Sequence, residues 1–148
     1  MKDDLYEKGL KLRREVLGDD YVDRSFANAD RYTRSIQDYA TKAAWGMVWS
    51  RPGISRKWRS VLNLGMLTAL HMNDELKLHI AVALRNGLSR EEICECLLQT
   101  SVYCGFPAAL SAFRIAREVF AELDGDKPEK KKKDRKSTRL NSSHVKRS

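Results

Sequence analysis

Glu75 and His79 stand four residues apart in Asn73-Asp-Glu-Leu-Lys-Leu-His79, a spacing that sets both side chains on one face of a helix. A carboxylate beside an imidazole is a proton-transfer unit. It favours the charged ring and orients one nitrogen, while the other nitrogen handles a substrate proton. His79 is therefore the candidate general acid/base, with Glu75 its partner. Val82 and Asn86 continue the stripe, and the Asn86 amide joins the candidate substrate contacts. The same pair also reads as an exposed helical pair, worth only about 0.2–0.5 kcal/mol. His71 closes an apolar helix, where a capping or satisfied core histidine is the ordinary role.

A second cluster flanks Arg51-Pro-Gly53: Trp45, Trp49 and Trp58 together with Arg51, Arg56, Lys57 and Arg59. Aromatic and basic residues at a chain turn suggest a pocket for an apolar anion. From composition alone, core aromatics beside solvated arginines are the commoner case. Other chemistries lack their residues. The chain has no Gly-rich phosphate loop, no zinc-spaced Cys/His set and no recognisable nucleophile turn. Cys94-Glu-Cys96 is not a C-x-x-C pair, and helical positions two apart point about 200° away from each other. With Cys104, the odd count of cysteines fits a reducing compartment and small core or interface residues.

The elements that must position these groups are helical. Leu5, Leu12 and Val16 recur at helical intervals before Gly18, predicting a first helix over about 2–17. The stretch 24–49 predicts one long helix or two broken pieces, ended by Arg51-Pro-Gly53. Ser55 can cap a helix over about 56–72, whose Val61, Leu62, Leu64, Met66, Leu67, Ala69 and Leu70 leave hardly any polar face. Such a helix must be buried, in part by other subunits. Asn73 can cap the next, stopped by Gly87. Ser89-Arg-Glu-Glu92 is a capping box opening a helix to about Tyr103, and Pro107 starts the last, ending near Leu123. Strand-like alternation is absent, so the expected fold is all-α: a compact single-domain bundle of about six helices.

Charge is unevenly spread. The net +8 of the 148 residues lies mostly after Leu123, where ten Lys/Arg face four Asp/Glu, leaving 18 against 16 in residues 1–123. A nearly neutral folded part argues against nucleic acid as a partner, and the basic tail alone would carry any such binding. Residues 124–148 offer almost nothing apolar to bury and are expected to be disordered. Within them, the stretch from Asp134 to His144 looks like a sequencing adapter translated in frame, an alternative being a genuine basic tail. No apolar run reaches the 18 or so residues a membrane span requires, and the charged Met1-Lys-Asp-Asp start lacks a signal-peptide core. A cytoplasmic protein without a membrane partner is expected.

Taken in order, Arg13-Arg-Glu-Val-Leu-Gly18, Trp45-Gly-Met-Val-Trp49, Arg51-Pro-Gly53, Leu78-His79, Asn86-Gly87, Glu91-Glu-Ile93 and Tyr103-Cys-Gly-Phe-Pro-Ala-Ala109 resemble the carboxymuconolactone decarboxylase family. The likeness runs from about Tyr6 to Leu123 with matching gaps. It implies the alkylhydroperoxidase-like helical fold and a homo-oligomer, trimer or hexamer. It also implies cofactor-free decarboxylation of 4-carboxymuconolactone to 3-oxoadipate enol-lactone, a step of protocatechuate breakdown. The peroxidase branch of that fold uses C-x-x-C followed four residues later by His. Alignment on Asn86-Gly87 keeps the His as His79 but puts Met72 and Glu75 at the thiol positions, which closes the peroxidase route.

Decarboxylation of such a lactone needs no metal or organic electron sink, because the conjugated ring accepts the electron pair. The resemblance implies a dicarboxylate lactone substrate, so arginines are the expected partners: Arg51 and Arg59 first, Arg56 next. Trp45 and Trp49 would shield the site, and His79 assisted by Glu75 would deliver the proton. Two alternatives stay open: a member acting on another lactone or keto-acid, and a non-catalytic helical interaction protein.

Overall fold

The computed structural model describes residues 3–125, and the basic segment expected beyond them lies outside the described residues. Seven helices account for the described chain: α1 (Asp4–Leu17), α2 (Asp19–Ala27), α3 (Arg34–Ala40, running on as a π-helix through Thr41–Trp49), α4 (Arg56–Ala69), α5 (Asn73–Arg85), α6 (Arg90–Tyr103) and α7 (Phe106–Leu123). Two boundaries differ from expectation, and between them an open alternative is resolved in favour of two pieces. Gly18, at φ 90°, turns the chain directly into α2, so helix resumes at Asp19 rather than near Arg24. The stretch expected to hold one or two pieces up to Trp49 is interrupted at 28–33, where the Asp30 carboxylate accepts hydrogen bonds from the Tyr32 and Thr33 amides. Asn73 is the first residue of α5 and not its cap, because His71 at φ 56° has already closed α4.

Local chemistry explains the boundaries that agree. The Ser55 hydroxyl accepts from the Trp58 amide, and Ser89 with Glu92 forms the expected reciprocal box. Past α4 and α5 the same C-terminal motif recurs: Met72 N donates to Leu67 O, and Leu88 N to Ala83 O, around left-handed residues His71 and Gly87. The fold also extends one residue beyond the expected boundary, since Asp124 accepts from both terminal nitrogens of Arg90, at 2.6 and 2.9 Å.

Two cores fill the interior. Helices α4 to α7 pack around Leu64, Leu76, Ile80, Ala83, Ile93, Leu97, Ala112, Ala116 and Val119. The second, between α1, α2, α3 and α5, holds Leu12, Val16, Leu17, Val22, Trp45 and Val82. Here α1 meets the π-helix backbone to backbone. A Cβ built at Gly9 would fall on the Thr41 carbonyl, and one at Gly46 on the Leu5 carbonyl. Arg13 is buried at this junction and donates to Thr41 Oγ1 at 2.9 Å and to Gln37 Oε1 at 2.7 Å.

α4 buries one face only. Ser60, Leu64 and Thr68 point inward, while Leu62, Met66 and Leu70, also four apart, are 54, 51 and 63% exposed. Within this protomer the expectation that the whole helix is covered does not hold. None of the described helices is long and apolar enough to cross a membrane.

Candidate active site

α5 lies between the two cores. Its Leu76, Ile80 and Ala83 face one and its Val82 the other, which leaves His79 at the seam. The imidazole is half-buried, with the Trp49 ring stacked near it at a centroid distance of 6.4 Å and an interplanar angle of 27°. Trp49 in turn rests on Trp45, centroids 4.9 Å apart, and Trp45 is only 6% exposed. Both indoles come from the π-helix. Its i to i+5 bonding makes a wider turn than an α-helix, a rare feature that often occurs at functional sites. Close approach of α1 over Gly46 leaves the tryptophan side of the π-helix turned toward α5.

His79 Nδ1 has a hydrogen-bond partner on another helix. Asn63 of α4 places its amide Nδ2 3.3 Å from it. Glu75, expected to hold that nitrogen, is solvent-exposed and forms no hydrogen bond to the ring among the described contacts. It acts through its field. Burial pushes the imidazole below the usual histidine range, and the Glu75 carboxylate pulls it back upward. Asn63 was not singled out from sequence. The available signal was a lone amide in the apolar run Val61-Leu-Asn-Leu64.

The remaining candidates divide. Arg51 and Arg56 line a cavity of about 430 Å³ with Trp49, Lys8, Lys11 and Glu15, so Trp49 belongs both to that cavity and to the His79 surround. Arg56 is paired with Glu15 at 2.8 Å. Arg59 donates to the Arg51 carbonyl at 3.1 Å, and its buried Nε has no hydrogen-bond partner among the described residues. Asn86 donates to the buried Ser60 hydroxyl at 2.9 Å, tying α5 to α4 one helical stretch beyond His79. Trp58 leaves the cluster. It is 61% exposed and lines a separate groove with Val61, Glu92 and Cys96. Cys94, Cys96 and Cys104 are free. Burial raises the Cys94 and Cys96 thiols above their ordinary value, which disfavours the reactive thiolate.

A helical scaffold that presents one half-buried histidine to tryptophan, amide and carboxylate is suited to moving a proton in a shielded site. Residues 35–118 match the carboxymuconolactone decarboxylase family, and the chain belongs to that family. It is 42% identical to a 4-carboxymuconolactone decarboxylase of Acinetobacter baylyi, over 87% of this chain and 96% of that protein. It is 40% identical to a nitrosuccinic acid decarboxylase of Metarhizium robertsii, over 80% of this chain and 83% of the relative. An uncharacterized 15.0 kDa protein of Paracoccus denitrificans is 35% identical, over 54% of this chain and 61% of its own length.

Proposed function

We propose that this protein removes carbon dioxide from 4-carboxymuconolactone, giving 3-oxoadipate enol-lactone, with His79 as the proton donor. Support comes chiefly from the half-buried imidazole stacked against Trp49 in a chain so similar to a 4-carboxymuconolactone decarboxylase. The bond from the ring carbon to its carboxylate breaks, and its electron pair passes through the conjugated double bond to the lactone carbonyl oxygen. The carbon next to that carbonyl then takes a proton from His79, and solvent returns one to the ring. The electron sink is the substrate itself, so the reading calls for no cofactor.

Each residue has a task in this reading. Trp49 and Trp45 keep water from the carbanionic carbon, and a positioned acid typically contributes about 10²–10⁴ in rate. Glu75 and the negative charges of the bound substrate offset the burial that disfavours the imidazolium. Arg51 and Arg59 take the carboxylates through their planar forks, with Arg56 in reserve once Glu15 releases it. Asn86 braces α5 beside the substrate. The exposed Leu62, Met66 and Leu70 stripe of α4 supports a homo-oligomer, trimer or hexamer, that covers it, and the metabolic role proposed here supports a cytoplasmic location.

The relative that acts on nitrosuccinic acid supports a second reading, in which a nitro group replaces the lactone carbonyl as electron sink. Carbon dioxide release from each compound, measured side by side with the full chain, separates the two. Faster release from 4-carboxymuconolactone is expected. Preference for nitrosuccinate would favour the second reading, and release from neither by folded protein would contradict both.

A further inference from the structure

His79 has two ring nitrogens, and only one can serve a substrate. The other must be held, or the ring will rotate and exchange tautomers. Asn63 is the side chain that reaches it, with Nδ2 3.3 Å from Nδ1. The amide is half-buried on α4, a helix whose neighbouring Leu64 is fully buried. The arrangement fixes the ring from two directions, by the Trp49 face and by the Asn63 edge.

We infer that Asn63 is a positioning residue that reserves Nδ1 of His79 and leaves Nε2 as the working nitrogen. This rests on the reading of His79 as proton donor, which it deepens. A carboxamide suits the task because it can pair with both states of the ring. Its NH2 donates to Nδ1 of the neutral imidazole, which then carries its hydrogen on Nε2. After a half-turn of the amide, its oxygen accepts the Nδ1 hydrogen of the imidazolium. The imidazolium gives its Nε2 proton to the substrate, which leaves the Nδ1–H ring on the amide oxygen, and solvent then returns a proton to Nε2. A carboxylate at position 63 would accept an Nδ1 hydrogen but could not donate to a bare Nδ1, and a leucine would do neither. Of the side chains facing the ring, Trp49 and Asn63 do not titrate, and Glu75 is the charged group whose field reaches it.

The test is nitrogen NMR of the full chain labelled at its histidine rings, of which there are three, with His79→Gln used to assign the signal. Parent protein should show the neutral His79 ring as the Nε2–H form. Asn63→Asp should move its protonation midpoint up by about one pH unit, as a carboxylate that close does. Asn63→Leu should turn the neutral ring into a mixture of the two forms. The pH at which turnover is half-maximal should follow the midpoint in Asn63→Asp, and kcat of Asn63→Leu should fall about tenfold with KM within about twofold. Unchanged nitrogen signals and midpoint in folded Asn63→Asp and Asn63→Leu would overturn the inference. If those signals move while His79→Ala still turns over at the parent rate, the positioning stands and the assignment of the acid falls.

Discussion

The half of the molecule built from α4 to α7 and the half built from α1 to α3 fill their interiors by different means. In the first, branched apolar side chains and alanines on regular helices interdigitate, with Leu64, Ile80, Ile93 and Leu97 fully buried. In the second, two glycines let α1 and the π-helix touch through their backbones, a buried arginine is held by Thr41 and Gln37, and a tryptophan takes the place of several smaller residues. The regular half is a frame. The irregular half supplies the indole faces, and α5, shared by both, carries His79 to the line where they meet. Rigid packing and chemical specialisation are thus assigned to opposite sides of one helix.

That contrast can be broken at four points, of decreasing effect on stability. Trp45→Ala should cost about 3–5 kcal/mol and Leu64→Ala about 2–5 kcal/mol in denaturant unfolding, each leaving a cavity. Only Trp45→Ala should also slow the folded enzyme, because Trp49 loses its support. Equal kcat losses in the two variants would erase the division between frame and site. Gly46→Ala should destabilise by about 1–3 kcal/mol, since its methyl group meets the Leu5 carbonyl. Gly65→Ala, in a regular helix with open space around the new methyl, should stabilise by about 0.5–1 kcal/mol.

The smallest effect is a pH dependence. Burial holds His79 below the ordinary histidine value of 6.5, so the unfolded chain binds a proton that the folded chain resists. Stability should therefore fall as pH drops from about the ordinary histidine value toward the folded one, and level off below it. His79→Gln should flatten that part of the curve. A slope that persists unchanged would place its origin elsewhere.

Much of this was legible in the residues. The box at Ser89 and Glu92, the Ser55 cap, and the turns at Gly87 and Gly105 are local devices whose chemistry is contained within a few positions. The stripe of α5 that carries His79 could be read from helical spacing, whereas the inward face of α4 could not, because apolar side chains stand on its exposed face as well. What else could not be read is non-local. Gly9 and Gly46 lie 37 positions apart in sequence, and nothing near either signals that their helices touch. The π-helix carries no composition of its own, since Thr41–Trp49 reads as any apolar helix. Trp58 was grouped with Trp45 and Trp49 by proximity along the chain, but α4 turns it outward. Glu75 was paired with His79 by spacing, which sees one helix at a time and so misses the Asn63 amide arriving from another.

Catalysis turns on one imidazole, and turnover of 4-carboxymuconolactone by His79→Ala tests its role most directly. With the helical circular dichroism of the parent retained, carbon dioxide release should fall by about 10²–10⁴. Release at the parent rate from that folded variant would contradict the assignment of His79 as the proton donor.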